Sequence, residues 1–321
     1  MAIPRLGRGL AFGVAKETTW GTPVSRTHWV RGVSSGLQLT EKKVPRPDLY
    51  GASTGTRIKH FVESVEAGGP IEWLFGFEGQ GPFWEAALWA TPSTTGPVSL
   101  IYTHTYALGA AAPVGLTVEE IRGTDPTTNA ALVYSGCKID SMEWDCSAGG
   151  LIKCTANAIA KQHAGAAAAG TPTFTTNEVE ALHHAASTLS FNAATYSLTT
   201  WKAMLSNRQG RRANLGSKYT QEPAPSDFRE CVFEVEIETT NDALVAAHTD
   251  DTESDVVITF TGTGSRTAAW TLQNAYVDSV QNSITGPGVI TQRVRFVGQS
   301  DGTDHGLKLV VANTQSSALA A

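Results

Sequence analysis

The sequence predicts a mainly β protein built from two related halves, and three observations support this. Only 17% of the 321 residues are charged, whereas Gly, Ser, Thr and Ala are abundant. Val, Ile, Phe and Trp occur in short runs bounded by Gly or Pro, which is typical of strands and turns. Two stretches, 141–160 and 279–298, repeat one pattern of strand, glycine turn and strand. A chain of this length fits one or two domains.

The repeat keeps a constant separation of 138 residues without a gap. Asp140 matches Asp278, Ser141 matches Ser279 and Gly150 matches Gly288. Hairpins need this alternation of side chains and this turn chemistry. The sequence therefore predicts a first β domain over residues 1–162 and a second over 178–321. The small, nearly uncharged stretch 163–177 between them is predicted to be a linker.

The segments upstream of each hairpin follow the same order. A polar loop leads into an apolar strand, "PIEWLFGFE" (70–78) and then "CVFEVEIETT" (231–240). A short helical segment follows each strand, "GPFWEAALWA" (81–90) and "NDALVAAHTD" (241–250). Trp84 and Trp89 recur at helical spacing, so we interpret them as a face packed against the sheet.

Three further stretches carry a resemblance to a known family. They are "VAKETTWGTPV" (14–24), the segment 102–120 leading into "YSGCKIDSMEWDCSAGGLIKCTANAIA" (134–160), and "RVRFVGQSDGTDHGLKLVVANTQ" (293–315). In this order they resemble the tail tube proteins of long, non-contractile-tailed bacteriophages. The resemblance covers nearly the whole chain, although each pattern is loose.

This resemblance implies β-sandwich or barrel domains with short flanking helices, whose inner sheets join into a continuous β-barrel around a DNA channel. The chain would be a structural virion protein that polymerises as stacked rings, is assembled in the host cytoplasm and releases DNA without binding it specifically. Its partners would be itself and the tape measure, tail terminator and distal tail proteins. Some relatives form hexamers, and others carry a duplicated domain and form trimeric pseudohexamers. The internal repeat favours the trimer, with the hexamer as the alternative.

Acidic residues on one predicted strand are candidates for the channel wall. In "CVFEVEIETT", Phe233, Val235 and Ile237 lie on one face because strand side chains alternate. The other face carries Glu234, Glu236 and Glu238, and the first half offers Glu72 in the corresponding strand. Facing a lumen, these carboxylates would repel phosphates. The alternatives are a solvated outer face, or pairing with Arg293 and Arg295 on a neighbouring strand.

Two long polar loops, 41–61 and 206–226, are candidates for contact with the next ring. Connections this long are uncommon without a role, although an ordinary solvated loop is the alternative. A basic loop could bind the acidic rim of an adjoining ring. The basic residues are Lys42, Lys43, Arg46, Arg57 and Lys59 in the first loop, and Arg208, Arg211, Arg212 and Lys218 in the second.

Composition and motifs argue against several other classes. A net charge of −6 gives no basic face for tight nucleic-acid binding. The uncharged stretch 86–118 is interrupted by Pro92, Pro97 and Pro113, so we expect no membrane span. The start of the chain lacks the apolar region of a secretory signal. No nucleophile, phosphate-loop or metalloprotease motif occurs, so we expect no enzyme and no cofactor.

The metal-ligating residue types also favour structural roles. Cys137, Cys146, Cys154 and Cys231 lack zinc-site spacing and are predicted to be small buried hydrophobes. His104 alternates with aromatic residues along a predicted strand and is predicted to be structural. His183 and His184 lie near Glu178 and Glu180, but adjacent histidines on a helix diverge, so we predict a surface helix rather than a metal site.

Two other functions remain open at this point. One is another β-rich virion protein, such as a tail terminator or a head decoration protein, which would close into a single ring. The other is a carbohydrate-binding or hydrolytic β-sandwich, in which exposed tryptophans such as Trp20 and Trp89 would stack on sugars.

Overall fold

A computed structural model describes residues 9–45, 60–111, 113–123, 131–167, 170–175, 187–239, 241–283, 289–302 and 306–318. We call the described residues 9–167 the first half and 187–318 the second half. The strands of the first half are β1 Ala11–Lys16, β2 His28–Ser35, β3 Gln38–Pro45, β4 His60–Leu74, β5 Ser93–Val98, β6 Ile101–Ala107, β7 Leu116–Ile121, β8 Ala131–Ser147, β9 Lys153–Ala160 and β10 Gln162–Ala167. Those of the second half are β11 Ser187–Phe191, β12 Ala194–Tyr196, β13 Leu198–Ser206, β14 Gln209–Arg212, β15 Gln221–Pro225, β16 Glu230–Glu238, β17 Ser254–Thr261, β18 Thr267–Ser283, β19 Thr291–Val297 and β20 Leu307–Asn313.

Among the described residues, two α-helices accompany these strands, α1 Gly81–Leu88 and α2 Ala243–Thr249, so the mainly β prediction is confirmed. Both helices fall within the predicted helical segments. Pro82 lies in the first turn of α1, where its missing N–H costs nothing. Every residue of α1 is buried, whereas α2 buries only Leu244 and Ala247. No helix among the described residues is long and apolar enough to cross a membrane.

One long antiparallel sheet runs through both halves, in the order β3–β4–β9–β8–β13–β16–β19–β18. Its first four strands come from the first half and its last four from the second. β8 and β13 form the internal junction between the halves, which pairs Ser141 with Ser206 and Ser147 with Thr200 at its two ends. The two halves therefore share one continuous hydrogen-bonded sheet.

Each half closes its own core behind the long sheet. In the first half, β1, β2, β4, β9, β8 and β7 pair in a closed circuit, which is a six-stranded barrel. In the second half, β11, β17, β18 and β20 form an outer sheet. The rings of Trp201 and Phe260 lie 5.4 Å apart and join this outer sheet to the long sheet.

The cores of the two halves are continuous. Trp270 of the second half lies 5.1 Å from Phe75 and 6.3 Å from Trp144 of the first half, measured between ring centroids. It also lies 5.2 Å from Trp201. Aromatic rings bury the largest apolar areas, so this cluster stabilises both halves together.

The two predicted hairpins have the same pairing register. Ser141 pairs with Asn157 in β8–β9, and Ser279, 138 residues later, pairs with Arg295 in β18–β19. Both ladders are interrupted by a bulge at the same place, between Ile139 and Ser141 and between Val277 and Ser279. Because a bulge fixes register locally, this agreement extends the sequence repeat to the backbone.

Three parts of the fold differ from the predicted organisation of two separate domains joined by a linker. β10 begins at Gln162, extends into the predicted linker 163–177 and pairs with β8. The predicted loop 206–226 contains the hairpin β14–β15. The hairpin β5–β6 belongs to the first half in sequence, yet β6 pairs with β20 of the second half, for example Tyr106 with Leu309.

Candidate functional site: one face and two edges of the long sheet

The long sheet has one apolar face and one polar face. In β16, Phe233, Val235 and Ile237 are buried in the core, whereas Glu234 and Glu236 are half-buried and Glu238 is exposed. The alternation predicted for this strand is therefore present. We call the face of the long sheet that points away from the core the polar face.

Acids outnumber bases on the polar face. Its acidic side chains include Glu66, Glu72, Glu143, Asp145, Glu230, Glu234, Glu236 and Glu238, and its basic side chains include Lys42, Lys153, Lys202, Arg293 and Arg295. Some of these charges are paired. Lys202 lies 2.8 Å from Glu143, Arg295 lies 2.8 Å from Glu230, and Lys153 lies 3.9 Å from Glu72. The pKa of the Asp145 carboxyl is raised, chiefly by burial, and the nearby Lys153 and Lys202 offset only part of this increase.

The acidic strand β16 faces arginines across the sheet. Glu234 is opposite Arg295 and Glu236 is opposite Arg293 in the β16–β19 ladder. Arg295 nevertheless forms its ion pairs with Glu230 and with Asp278, at 2.5 Å. Among the described residues, Glu234, Glu238 and Arg293 have no ion-pair partner within 4 Å. The polar face is thus acidic overall, with arginines between the carboxylates. Two of the four predicted carboxylates, Glu72 and Glu236, occupy equivalent positions in the two halves.

That match follows from the ladders. Asn157 and Arg295 correspond in the two hairpins, and they pair with Pro70 and Glu234 respectively. Two residues further along, Glu72 and Glu236 therefore correspond. Their partners agree as well, because Glu72 pairs with Ser34 next to a bulge and Glu236 pairs with Thr200 next to a bulge.

The long sheet ends in two free edges. β3 pairs only with β4, and residues 276–283 of β18 pair only with β19, among the residues that the structure describes. Leu39 on the β3 edge and Val280 on the β18 edge are partly buried and pack against the core. Unpaired edges of this length normally pair with another chain or are protected.

The internal junction is reinforced by two polar side chains. Asn207 is fully buried, and its amide donates to the carbonyls of Ala87 at 2.8 Å and Ile139 at 2.9 Å. The Arg229 guanidinium donates to the Asn207 side-chain oxygen at 3.0 Å and lies 4.2 Å from the centroid of the Trp89 ring. It also donates to the Gly109 carbonyl, and burial lowers its pKa to about 10.

The hairpin β14–β15 packs on β4 of the first half. The Val65 N–H donates to the Lys218 carbonyl at 2.7 Å, and Arg211 donates to the Ala67 carbonyl at 3.1 Å. Glu222 lies 2.9 Å from the buried ammonium of Lys138. This second predicted ring-contact loop is therefore already anchored within its own chain.

Most of the described basic residues of the two loops are engaged. Lys42 lies 2.7 Å from Glu63, Lys43 lies 3.4 Å from Glu41, and Arg208 lies 2.7 Å from Glu230. Arg212 is exposed and has no ion pair within the described residues. Arg46, Arg57 and Lys59 lie outside the described residues. Apolar side chains are also exposed here, namely Val44, Phe61, Leu215 and Phe228.

The opposite end of the long sheet also exposes apolar side chains. Leu151 follows the turn between β8 and β9, and Val289 and Ile290 precede β19 at the corresponding place. Apolar side chains are thus exposed at both ends of the strands of the long sheet.

The tryptophans do not form an exposed platform, so the premise of a sugar-binding surface was wrong. Seven of the eight are buried, including Trp89. Trp20 is half-buried, donates to the Gly136 carbonyl at 3.1 Å and lies under the Lys161 ammonium at 4.9 Å. The interpretation of Trp84 and Trp89 as packing residues is confirmed.

The cysteines and His104 have the predicted structural environments. All four cysteines are buried and unpaired with one another. Burial raises the pKa of the Cys146 thiol to about 11 and that of Cys231 to about 12. His104 is buried and bonded to Thr94 at 2.9 Å and to Asn313 at 2.9 Å. No metal-ligating cluster occurs in the described part of the chain. His183, His184, Glu178 and Glu180 lie outside the described residues.

A family model described as phage tail tube protein matches residues 7–298 of the chain. This match spans both halves of the long sheet and its internal junction. Comparison with curated proteins gave no match.

Proposed function

Because the chain belongs to the phage tail tube protein family and is a structural, non-enzymatic component of the virion tail, we propose that three copies close into a ring and that such rings stack into the tube. The tail would be of the long, non-contractile type, with the tube assembled in the host cytoplasm. A hexameric ring of six chains is the alternative.

The observation that carries this proposal is the matched register of the two hairpins within one continuous sheet. Each half contributes four strands to the long sheet, and the sheet ends in free edges. Three chains would supply six such units and about 24 strands, and closing them into a barrel removes all edges. We propose on the same ground that 1–162 and 178–321 are duplicated domains joined around 163–177.

The polar face of the long sheet would line the channel. Its excess of carboxylates, including Glu72, Glu234, Glu236 and Glu238, would repel DNA phosphates, while the interleaved arginines would keep the repulsion mild. DNA would pass through during ejection into the host without specific binding, because a wall that binds phosphates strongly would slow its movement.

The hairpins β3–β4 and β14–β15 would contact the next ring. Their described residues contact each other, because the Val65 N–H donates to the Lys218 carbonyl and Val65 forms a β-bridge with Tyr219. Head-to-tail contacts of this kind repeat without closing and so generate a filament. The ends of the tube would be bound by tail terminator and distal tail proteins, and a tape measure protein would set its length.

Electron microscopy of the purified protein tests this function directly. We expect tubes of uniform width that lengthen with protein concentration, with three-fold end views. Single closed rings that never stack would favour a tail terminator or head decoration role instead. A protein that stays monomeric at every concentration would overturn the proposal.

A further inference from the structure

We propose that two copies of the chain join through β18 of one copy and β3 of the next, in the register that β8 and β13 already use inside each chain. The inference rests on the proposed ring and adds the residues that meet at each boundary between chains. Its partner is a second copy of this chain.

The internal junction supplies the template for this contact. There, Leu205 pairs with Met142, and both side chains are buried. Met142 corresponds to Val280, because the two hairpins match at a separation of 138 residues. Leu205 corresponds to Leu39 for a similar reason. Leu205 pairs with Cys231, and Leu39 pairs with Ala67. Cys231 lies three residues before Glu234, and Ala67 lies three residues before Pro70, which is the residue that matches Glu234 in the first half.

Transferring the register to the free edges places Val280 opposite Leu39. Ser279 then lies opposite Thr40, and Gln281 opposite Gln38. Both of these polar-face pairs are uncharged, so neither brings like charges together. Leu39 and Val280 are only partly buried in the single chain, and pairing would remove both from water as Leu205 and Met142 already are.

The boundary between chains lacks the polar reinforcement of the internal junction. By the same ladder matches, Glu41 stands in place of Asn207 and Val65 in place of Arg229. Neither can reproduce the bonds that Asn207 and Arg229 make to Ala87, Ile139 and Gly109. The contact between chains is therefore the weaker of the two, and rings come apart at it before the chain unfolds.

Disulfide trapping tests the register. In the assembled Leu39→Cys/Val280→Cys variant, mild oxidation should yield covalent dimers and trimers on a denaturing gel. The native cysteines are buried and give little background. The matched control Met142→Cys/Leu205→Cys has the same spacing within one chain and should crosslink without changing the apparent mass.

An out-of-register pair separates this register from chance contact. Leu39→Cys/Gln281→Cys places the two sulfurs on opposite faces of the sheet and should crosslink about tenfold less. Equal crosslinking of the two pairs, or dimers formed by Val280→Cys alone, would overturn the proposed contact. Rings without any Leu39–Val280 crosslink would overturn the register while leaving the ring intact, whereas the lack of both rings and crosslinks would overturn the proposed function as well.

A charge at the edge gives a second, independent readout. Val280→Lys should leave a folded monomer with the melting temperature of the wild type, because the side chain can reach solvent, but should abolish rings. Gln281→Lys, on the neighbouring polar position, should still form them. Rings formed equally well by Val280→Lys would contradict burial of this residue between chains.

Discussion

Asp278 occupies in the second hairpin the place that Asp140 occupies in the first, since each is the extra residue of a bulge. The carbonyl of Asp140 accepts from the Asn207 N–H and its carboxylate from the Gln209 N–H, both at 2.7 Å. Asp140 thus fixes the start of the neighbouring hairpin at the internal junction. Asp278 lies at the free edge, where its carboxylate binds Arg295 instead.

The polar side chains at the internal junction should be costly to remove. Asn207→Ala and Arg229→Ala should each lower the free energy of unfolding by about 2–3 kcal/mol, because buried carbonyls lose their donors. Urea denaturation measures this. The exposed Arg212→Ala should change it by less than about 0.5 kcal/mol, and an equal loss in that control would show that the junction contacts are not the cause.

The shared aromatic core should make the two halves unfold together. Trp270→Ala removes contacts with Phe75, Trp144 and Trp201 and should cost about 3–5 kcal/mol. Hydrogen exchange should accelerate in strands of both halves, for example β4 and β16. Faster exchange confined to residues 187–318 would instead indicate separate folding units. Trp270→Phe should be milder, since it keeps an aromatic ring.

Reversing the charge of the acidic strand β16 should convert the proposed channel wall into a DNA-binding surface. Tubes of the triple variant Glu234→Lys, Glu236→Lys, Glu238→Lys should retain double-stranded DNA in a sedimentation assay. This retention should weaken steeply between about 50 and 200 mM salt. A control with the same charge change at Asp250, Asp251 and Glu253, which lie away from the polar face, should retain none in the lumen. DNA retained equally by both variants would place the acidic strand elsewhere.

The exposed tip of β14–β15 should affect stacking and leave ring closure unchanged. Leu215 is fully exposed beside Gly216, which has a φ of 92°. Leu215→Ser should shorten tubes severalfold in electron micrographs while rings persist, because only the contact between rings loses apolar area. The similarly exposed Leu100→Ser in the β5–β6 turn serves as the control. Tubes of normal length from Leu215→Ser would exclude this tip from the contact.

The Asp145 carboxyl should make the chain more stable under mildly acidic conditions. Its pKa in the folded state is raised, chiefly by burial, so the folded state holds the proton more tightly than the unfolded state. Stability from this group therefore rises as pH falls through the folded pKa and levels off below the unfolded pKa. Asp145→Asn should be slightly more stable than the wild type at pH 7, by less than about 1 kcal/mol because the group is partly solvated. Equal denaturation midpoints at pH 7 would contradict this.

Periodicity and turn chemistry were enough to predict the elements that depend on local sequence. The hairpin β8–β9 and its copy, the alternation in β16 and the helix α1 follow from such local patterns. The pairing partner of a strand is harder to predict. Alternation within a strand indicates which of its faces is buried, but it does not indicate which other strand lies beside it. Nothing in residues 101–107 indicates that β6 pairs with β20, about 200 residues away, since that pairing depends on which edge the rest of the fold leaves open.

The candidate site shows the same division. The acidic residues of β16 are recognisable in the sequence, and Arg293 and Arg295 are recognisable as an alternative partner. Strand spacing does not reveal which arginine binds which carboxylate, because Arg295 lies opposite Glu234 but forms its ion pairs with Glu230 and with Asp278 at the bulge. The anchoring roles of Asn207 and Arg229 were missed, because a lone Asn or Arg near a loop carries no pattern until its buried carbonyl partners are known.

Among the described residues, the hairpin β5–β6 has no counterpart in the second half, where a four-residue turn links α2 to β17. Each half has thus become specialised, and neither could substitute for the other. A shortened gene encoding the second half alone would leave β20 paired only with β18, and one encoding the first half alone would leave β6 paired only with β5. In the proposed ring of three chains, the outer wall should accordingly carry three raised ridges, one per polypeptide, around a bore whose lining comes closer to six-fold symmetry.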